Sequence, residues 1–396
     1  MDRLTPERAA FLFTPEAHAA LARLATADLS DAALLPRITE LRRRFTAEQA
    51  ALLLEQARLR RKARGKFPDA ERLFFVAEAL EQASSLEAAR YRALSFAPFA
   101  RVADLGAGIG ADTLALAEVV REVIAVERDP LRALFLRANA AARGVAERVR
   151  VLEADWTQAS LEVDAAFVDP ARRREGRRVR GLEAMNPPFA AVLELVQRVR
   201  HVMVKLAPSV PHEARPRGAE LEFISVGGEC KEAVLRFGDL RLGASRVATV
   251  LPVGARLTSR DPLEAVPVGE PRAYLYEPDA AVIRAGLVQH LATRLGLAQL
   301  DPRIAYLTGE ARHATPFARA WRVLRHGPFH LKTLNRWLAE LEAGAVVLKK
   351  RGSPIDPDAF RRRLRTTPGG RPVTAFFTRV QDRPWMILAE AATLEV

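Results

Sequence analysis

The sequence predicts an α/β protein built on a parallel sheet, and three observations carry that prediction. From residue 101 onward, short apolar runs alternate with helix-like stretches. The first run, Arg101–Leu105, passes directly into a glycine cluster, Gly106, Gly108 and Gly110, and then into the helix-like ADTLALAEVV. The runs that follow end in acids: Glu127, Asp155 and Asp169. Glycines let a backbone turn tightly and approach a ligand at the N-terminus of the next helix. Several nucleotide cofactors use such a loop, so the acids at the strand ends must discriminate between them.

Taken in order, residues 1–70 read as an N-terminal helical region. Thr5-Pro6-Glu7 and Thr14-Pro15-Glu16 are helix-start signals with proline in the first turn. Thr46 with Gln49 has the form of a capping box. Leu34, Ile38, Leu41 and Phe45, then Ala47, Ala50, Leu54 and Ala57, keep a helical period. The basic run RLRRKARGK (58–66) closes the region, either as a solvated helix end or as an RNA-contacting arm. A helical lead-in follows, in which Gln82, Ser84 and Ser85 either cap helices or face a cofactor.

The parallel strands are expected at 101–105, 123–127, 149–154, 165–170 and 201–207, with helices at about 111–120, 130–143 and 186–199. Residues 220–238 read as a β-hairpin around Gly227-Gly228-Glu229. Together, 71–255 are expected to form one domain. The Pro- and charge-rich stretch 256–272 reads as a linker. Residues 273–396 are expected to be a small α+β module, with helices at DAAVIRAGLVQHLATRLG and PFHLKTLNRWLAELEAG before terminal strands.

Composition narrows the classes. The 396 residues are 49% hydrophobic, spread along the chain, enough for two or three domains with ample core. No charge-free apolar run of about 18 residues appears, which argues against a membrane span. MDRLTPERAAFLF lacks the basic start, long apolar stretch and cleavage site of a signal peptide. The single cysteine, Cys230, excludes an intramolecular disulfide framework and a thiolate-cluster zinc site. His326 and His330 share a four-residue spacing, but Gly327-Pro328 interrupts it and no further ligand completes a metal site. A cytoplasmic protein without membrane or metal partners is expected. The net charge of +13 favours phosphate-rich partners. A GC-rich or thermophilic proteome yields the same balance, so charge alone leaves nucleic-acid binding open.

The candidate cofactor residues are Asp104, Gly106, Ala107, Gly108, Gly110, Asp112, Glu127, Arg128, Asp155 and Trp156. Glu127 stands 21 positions after Gly106, the reach needed for ribose hydroxyls. Asp155 beside Trp156 places a carboxylate and an aromatic ring together, a pair suited to an adenine. The candidate catalytic residues are Asp169, Pro170 and Arg172, the last opening a run of six arginines between 172 and 180.

Residues 101–240 resemble the class I S-adenosylmethionine (SAM)-dependent methyltransferases: DLGAGIGAD is similar to their glycine motif, and Glu127, Asp155 and Asp169-Pro170 fall at their later motif positions. The resemblance implies a Rossmann-like sheet and SAM as cofactor. It also implies that Asp104 orients the methionine end, Glu127 binds the ribose, Asp155 reaches the adenine amine and Asp169 lies near the methyl group. A dehydrogenase fits less well, because the glycines are spaced G-x-G-x-G.

Most of the chain from about 60 onward resembles a narrower bacterial group, methyltransferases with a THUMP-like C-terminal domain. The pieces are KF…LEQAS…YRA, VDPARR, GGECKE, YLYEPDAAVIRAGL and LKKRG. THUMP-type domains are associated with RNA, chiefly tRNA, so the resemblance implies an RNA methyltransferase without identifying the nucleotide; methylation of a base nitrogen in tRNA or rRNA is the expected reaction. Lys349-Lys350-Arg351 and the RRRLR run at 361–365 are candidate RNA contacts. Asp-Pro-Ala-Arg departs from the Asn/Asp-Pro-Pro-aromatic of many amino-group methyltransferases and lacks their stacking ring. It also resembles the Asp-Pro-Pro-Arg of RNA C5-uridine methyltransferases, but the loop after the next strand, Lys205–Ser209, has no cysteine nucleophile, and Cys230 reads as structural. The rival readings are methylation of a protein or small molecule, and a non-catalytic RNA-binding protein with a vestigial SAM site.

Overall fold

The computed structural model describes residues 4–170, 173–174, 177–178, 182 and 185–392. The chain divides into two compact units, one of them Met1–Val210 with 216–219 and 234–242, the other Pro211–Arg215, Glu220–Ala233 and Gly243–Val396.

The first unit begins as its capping signals require. Thr5 and Thr14 accept backbone N–H groups at the starts of helices Pro6–Ala9 and Pro15–Leu24. Thr46 and Gln49 form the complete box at the start of Ala47–Ala63, with bonds of 3.0 and 3.2 Å. Apolar side chains of these helices join Phe67, Phe74 and Phe75 in a core that also takes in Ile109, Ala111, Leu131 and Phe135. Asn139 locks this packing to the glycine loop. Its buried amide donates to the carbonyls of Phe74 and Ile109 and accepts the Phe74 N–H, so the group is satisfied.

The sheet that follows holds five parallel strands: β1 Arg101–Leu105, β2 Glu122–Val126, β3 Val149–Leu152, β4 Ala165–Val168 and β5 His201–Leu206. Their order is β5-β4-β1-β2-β3, every neighbouring pair parallel. β1 and β4 are buried almost throughout, as strands covered by helices on both faces must be. Helices Ala111–Val119, Pro130–Ala142 and Phe189–Arg198 supply the connections expected from the apolar periods. The order reverses beside β1, so the carboxyl ends of β1, β2 and β4 share one edge, where such sheets bind ligands.

Glu220–Val226, in the second unit, turns through Gly227-Gly228, both at positive φ, into strand Glu229–Arg236, of which residues 229–233 belong to that unit. Glu220–Val226 also runs parallel to Arg246–Leu251, which pairs antiparallel with Ala255–Thr258. Residues 259–272 carry no regular helix or strand. The rest is a seven-stranded sheet ordered 298–301, 304–309, 274–278, 318–328, 383–391, 371–380, 343–350.

Four of these strands precede the terminal ones expected from sequence. Ala318–Pro328 has an irregular burial pattern and a register shift between Val323 and Arg325, which blurs the two-residue period that reveals a strand. The helix expected across DAAVIRAGLVQHLATRLG is two helices, Ala280–Arg284 and Val288–Leu295, because Gly286 takes φ +65° between them. No helix among the described residues is long and apolar enough to cross a membrane.

Candidate cofactor and methyl-transfer site

The glycine loop leaves β1 with Gly106, Gly108 and Gly110 at φ +83°, +58° and +95°, a conformation that side-chain-bearing residues rarely adopt. Gly106 is doubly constrained. A Cβ there would lie 2.9 Å from the carbonyl oxygen of Asp169, so the missing side chain lets the loop pass directly over the end of β4. The Gly106 and Ala107 N–H groups bond to the Val126 carbonyl, tying the loop to β2. A Cβ on Gly108 would meet nothing within 4 Å.

Glu127, just past β2, is buried and reaches back to the loop. Its carboxylate accepts the Gly108 N–H and the Asp129 N–H, each at 2.8 Å. This fixes both oxygens while each keeps a lone pair for a hydroxyl donor. Asp155, past β3, is exposed and accepts the N–H and hydroxyl of Thr157 at 2.9 and 2.8 Å. Those bonds hold its carboxyl below the usual range, helped by the charge of Arg128, itself exposed. The Trp156 ring beside it is buried.

Asp104, inside β1, is 1% exposed. Oδ2 accepts the Thr113 hydroxyl, while Oδ1 is buried without a protein partner among the described residues. Burial, and then repulsion from Asp112, push this carboxyl up to about 8. Asp112 is buried too, but Arg92 and Lys205 outweigh the burial and hold it below the usual carboxylate range. Arg92 pairs with Asp112, donates to Ser84 Oγ at 2.7 Å and lies 5.2 Å from the Phe167 ring centroid. Ser84 completes the triangle by donating to Asp112 at 3.1 Å. The Asp112 carboxylate is therefore occupied within the protein, holding the first turn of Ala111–Val119 against the preceding helices.

At the end of β4, Asp169 Oδ2 accepts from Lys205 Nζ at 2.6 Å. Pro170 is buried, and Arg172 lies outside the described residues. The backbones of Arg173–Arg174 and Arg177–Arg178 pair as a short antiparallel ribbon.

Asp104, the three glycines, Glu127 and Asp169 thus converge on one sheet edge. Gln82 bonds to Glu78 and Ser85 caps helix Leu86–Ala93, whereas Ser84 faces the cluster. Arg92, Thr113 and Lys205 are participants that sequence reading missed. A lysine in the otherwise apolar run HVMVKL was the available signal for Lys205, since a charge in a buried strand needs a partner.

Cys230 belongs to the second unit, and its thiol is pushed up to about 12, first by burial and then by Asp279. A thiol held there is not a nucleophile near neutral pH. No cluster of three metal-ligating side chains occurs among the described residues.

A parallel sheet whose first loop is glycine-rich, with carboxylates at successive strand ends, is an α/β fold of the nucleotide-cofactor-binding class. Comparison with known proteins narrows this. A family described as THUMP domain-like matches residues 318–391, and a domain of unknown function matches 5–63. Two relatives from Mycobacterium tuberculosis, both named uncharacterized S-adenosylmethionine-dependent methyltransferases, are 36% identical over 352 residues, 86% of this chain and 95% of theirs. A solved structure from Porphyromonas gingivalis W83, provisionally named a methyltransferase, shares the fold with a TM-score of 0.77 at 22% identity, covering 96% of this chain and 100% of that one.

The chain belongs to the SAM-dependent methyltransferases, with a THUMP-like domain at its C-terminus. Its cofactor is SAM. The residues present are compatible with it: Oδ1 of Asp104 is buried without a protein partner among the described residues, and Gly108 in the loop that follows has open space where a side chain would stand.

Proposed function

We propose that this enzyme methylates a base nitrogen in tRNA or rRNA. The observation that carries the reading is the union, in one chain, of a methyltransferase site with a THUMP-like domain, a type associated with RNA. The net charge of +13 and the arginine run that follows Asp169-Pro170 support it, since arginine meets phosphate oxygens in bidentate fashion.

Bound SAM supplies an electrophilic methyl on its sulfonium. The protein's task is alignment and exclusion of water. Asp104 receives the ammonium of the methionine end, Glu127 the ribose hydroxyls and Asp155 the adenine amine. Asp169, with Lys205 on one oxygen, turns the other toward the acceptor N–H, and the Pro170 carbonyl provides a second acceptor. Two hydrogen bonds donated by an amino acceptor would orient its lone pair along the line of attack, the S–C bond breaking as the N–C bond forms and the displaced N–H proton passing to solvent. Arg172 contacts the acceptor's phosphate.

The test is incubation of the purified enzyme with methyl-labelled SAM and separate pools of unmodified tRNA, rRNA, DNA and protein. Label in tRNA or rRNA, with an N-methylated base on nucleoside mass spectrometry, is the expected result. Label confined to protein or DNA overturns the RNA assignment and leaves the methyltransferase class intact.

A further inference from the structure

The basic run 58–66 divides into two sets once folded. Arg58 pairs with Asp31 at 3.0 Å, Lys62 pairs with Glu81 at 3.1 Å, and Lys66 donates to the carbonyls of Leu80, Glu81 and Ala83. Arg60, Arg61 and Arg64 point elsewhere. Together with Arg72 and His18 they line a cavity of about 510 Å³ within the first unit, walled on its apolar side by Leu21 and four alanines.

Three of those guanidiniums are held by carbonyls instead of carboxylates. Arg60 Nε donates to the Leu73 carbonyl at 2.8 Å, Arg61 donates to that of Ala27, and Arg72 to that of Ala142 at 2.5 Å. A carbonyl fixes a guanidinium's position without cancelling its charge, and leaves most of its five N–H donors unused. Arg60 also lies 4.9 Å from the centroid of the Phe74 ring, and burial lowers it to about 10, against the weaker opposing charge of Glu71. Among the described residues Glu71 is the one carboxylate lining the cavity, and it pairs with Arg64 at 2.7 Å. Four arginines stand against one glutamate among the described lining residues, an excess of three positive charges with His18 left out of the count.

Positioned, incompletely neutralised guanidiniums around a concave space of ligand size form a phosphate-binding arrangement. We propose that this cavity binds a phosphate-bearing ligand. The phosphate is either that of a nucleic-acid backbone or that of a free small molecule, and the apolar wall receives the group attached to it. The proposal is independent of which substrate is methylated.

The experiment uses the full chain and two double variants that each remove two positive charges. Arg64→Gln with Arg72→Gln alters the cavity, and both residues are exposed, so the fold survives. Arg58→Gln with Lys62→Gln alters the paired set of the same helix and serves as the charge control. Binding of inorganic pyrophosphate, of adenosine 5′-monophosphate and of a fluorescent single-stranded RNA is titrated, with SAM affinity as the check on folding. The cavity variant is expected to lose about tenfold or more for a phosphate probe, with the control and SAM affinity unchanged. A loss for RNA that pyrophosphate also competes away identifies a nucleic-acid backbone. A loss confined to the small probes identifies a free phosphate ligand. Equal losses in both variants, or no phosphate probe bound by the unaltered chain, overturn the proposal.

Discussion

Lys205 Nζ lies 2.6 Å from Asp169 Oδ2, one residue beyond the register pair Val168–Val204 that joins β4 to β5. The parallel register itself brings the two side chains together. Lys205 is 6% exposed, and a charge that deep is tolerated because it is paired. The pair engages one oxygen of the carboxylate, Oδ2.

Asp169→Ala is expected to reduce methyl transfer by ~100-fold or more, with the affinity for SAM nearly unchanged. Lys205→Met is expected to lower the rate by about tenfold to a hundredfold through misplacement of Asp169, and Lys205→Arg to restore part of it. Rates from labelled SAM, set beside cofactor affinity from calorimetry, separate the two effects. Full activity in Asp169→Ala would falsify the assignment of the site.

Gly106 and Gly108 differ in a way that substitution exposes. Both have positive φ, which costs an alanine about 1–2 kcal/mol. At Gly106 the new Cβ also meets the Asp169 carbonyl at 2.9 Å, whereas at Gly108 it meets nothing. Gly106→Ala is therefore expected to be the more destabilising in chemical denaturation, and to impair transfer by displacing the end of β4.

With Asp104 proposed to receive the methionine ammonium, cofactor binding is expected to depend on pH. Its folded pKa of about 8 lies above the ordinary 3.8, so the protonated form prevails at neutral pH without cofactor. An ammonium group bound at Oδ1 requires the ionised form. SAM binding below pH 8 is expected to release a proton, and affinity to fall as pH drops from 8 towards 6. Calorimetry in buffers of different ionisation enthalpy measures that proton. The same raised pKa means that Asp104 favours folding most below about pH 4, and that this contribution is lost as pH rises through 8. Asp104→Asn is expected to bind SAM weakly and to lose this pH dependence.

Arg92→Met strips the guanidinium from buried Asp112 and is expected to cost about 3–5 kcal/mol, read from denaturant unfolding. Asp112 is held below its ordinary pKa, so its stabilising contribution is present above that value and disappears as pH falls through the lowered one. The stability difference between Arg92→Met and the unaltered chain should therefore shrink in acid.

Cys230→Ala is expected to leave methyl transfer unchanged. Its thiol, pushed up to about 12, should react slowly with alkylating reagents at neutral pH. Loss of activity in this variant would reopen a thiol-dependent mechanism.

The sequence by itself determined the strand–loop–helix unit at 101–119, the later parallel strands and the acids at their ends. These are local signals: an apolar run, glycines where φ must be positive, and a carboxylate at a boundary. The capping residues Thr5, Thr14 and Thr46 were legible for the same reason. Tertiary structure alone decided that Asp112 is spent on Arg92 and Ser84, that Asp104 keeps an unpartnered oxygen, and that Lys205 meets Asp169. Those facts depend on groups from 8 to 36 positions apart meeting in a low-dielectric interior, where each charge must find a partner or change its protonation. Only the fold, likewise, decided which residues of one basic run line a cavity. Spacing along a helix says which residues share a face, while the opposing chain decides what that face meets.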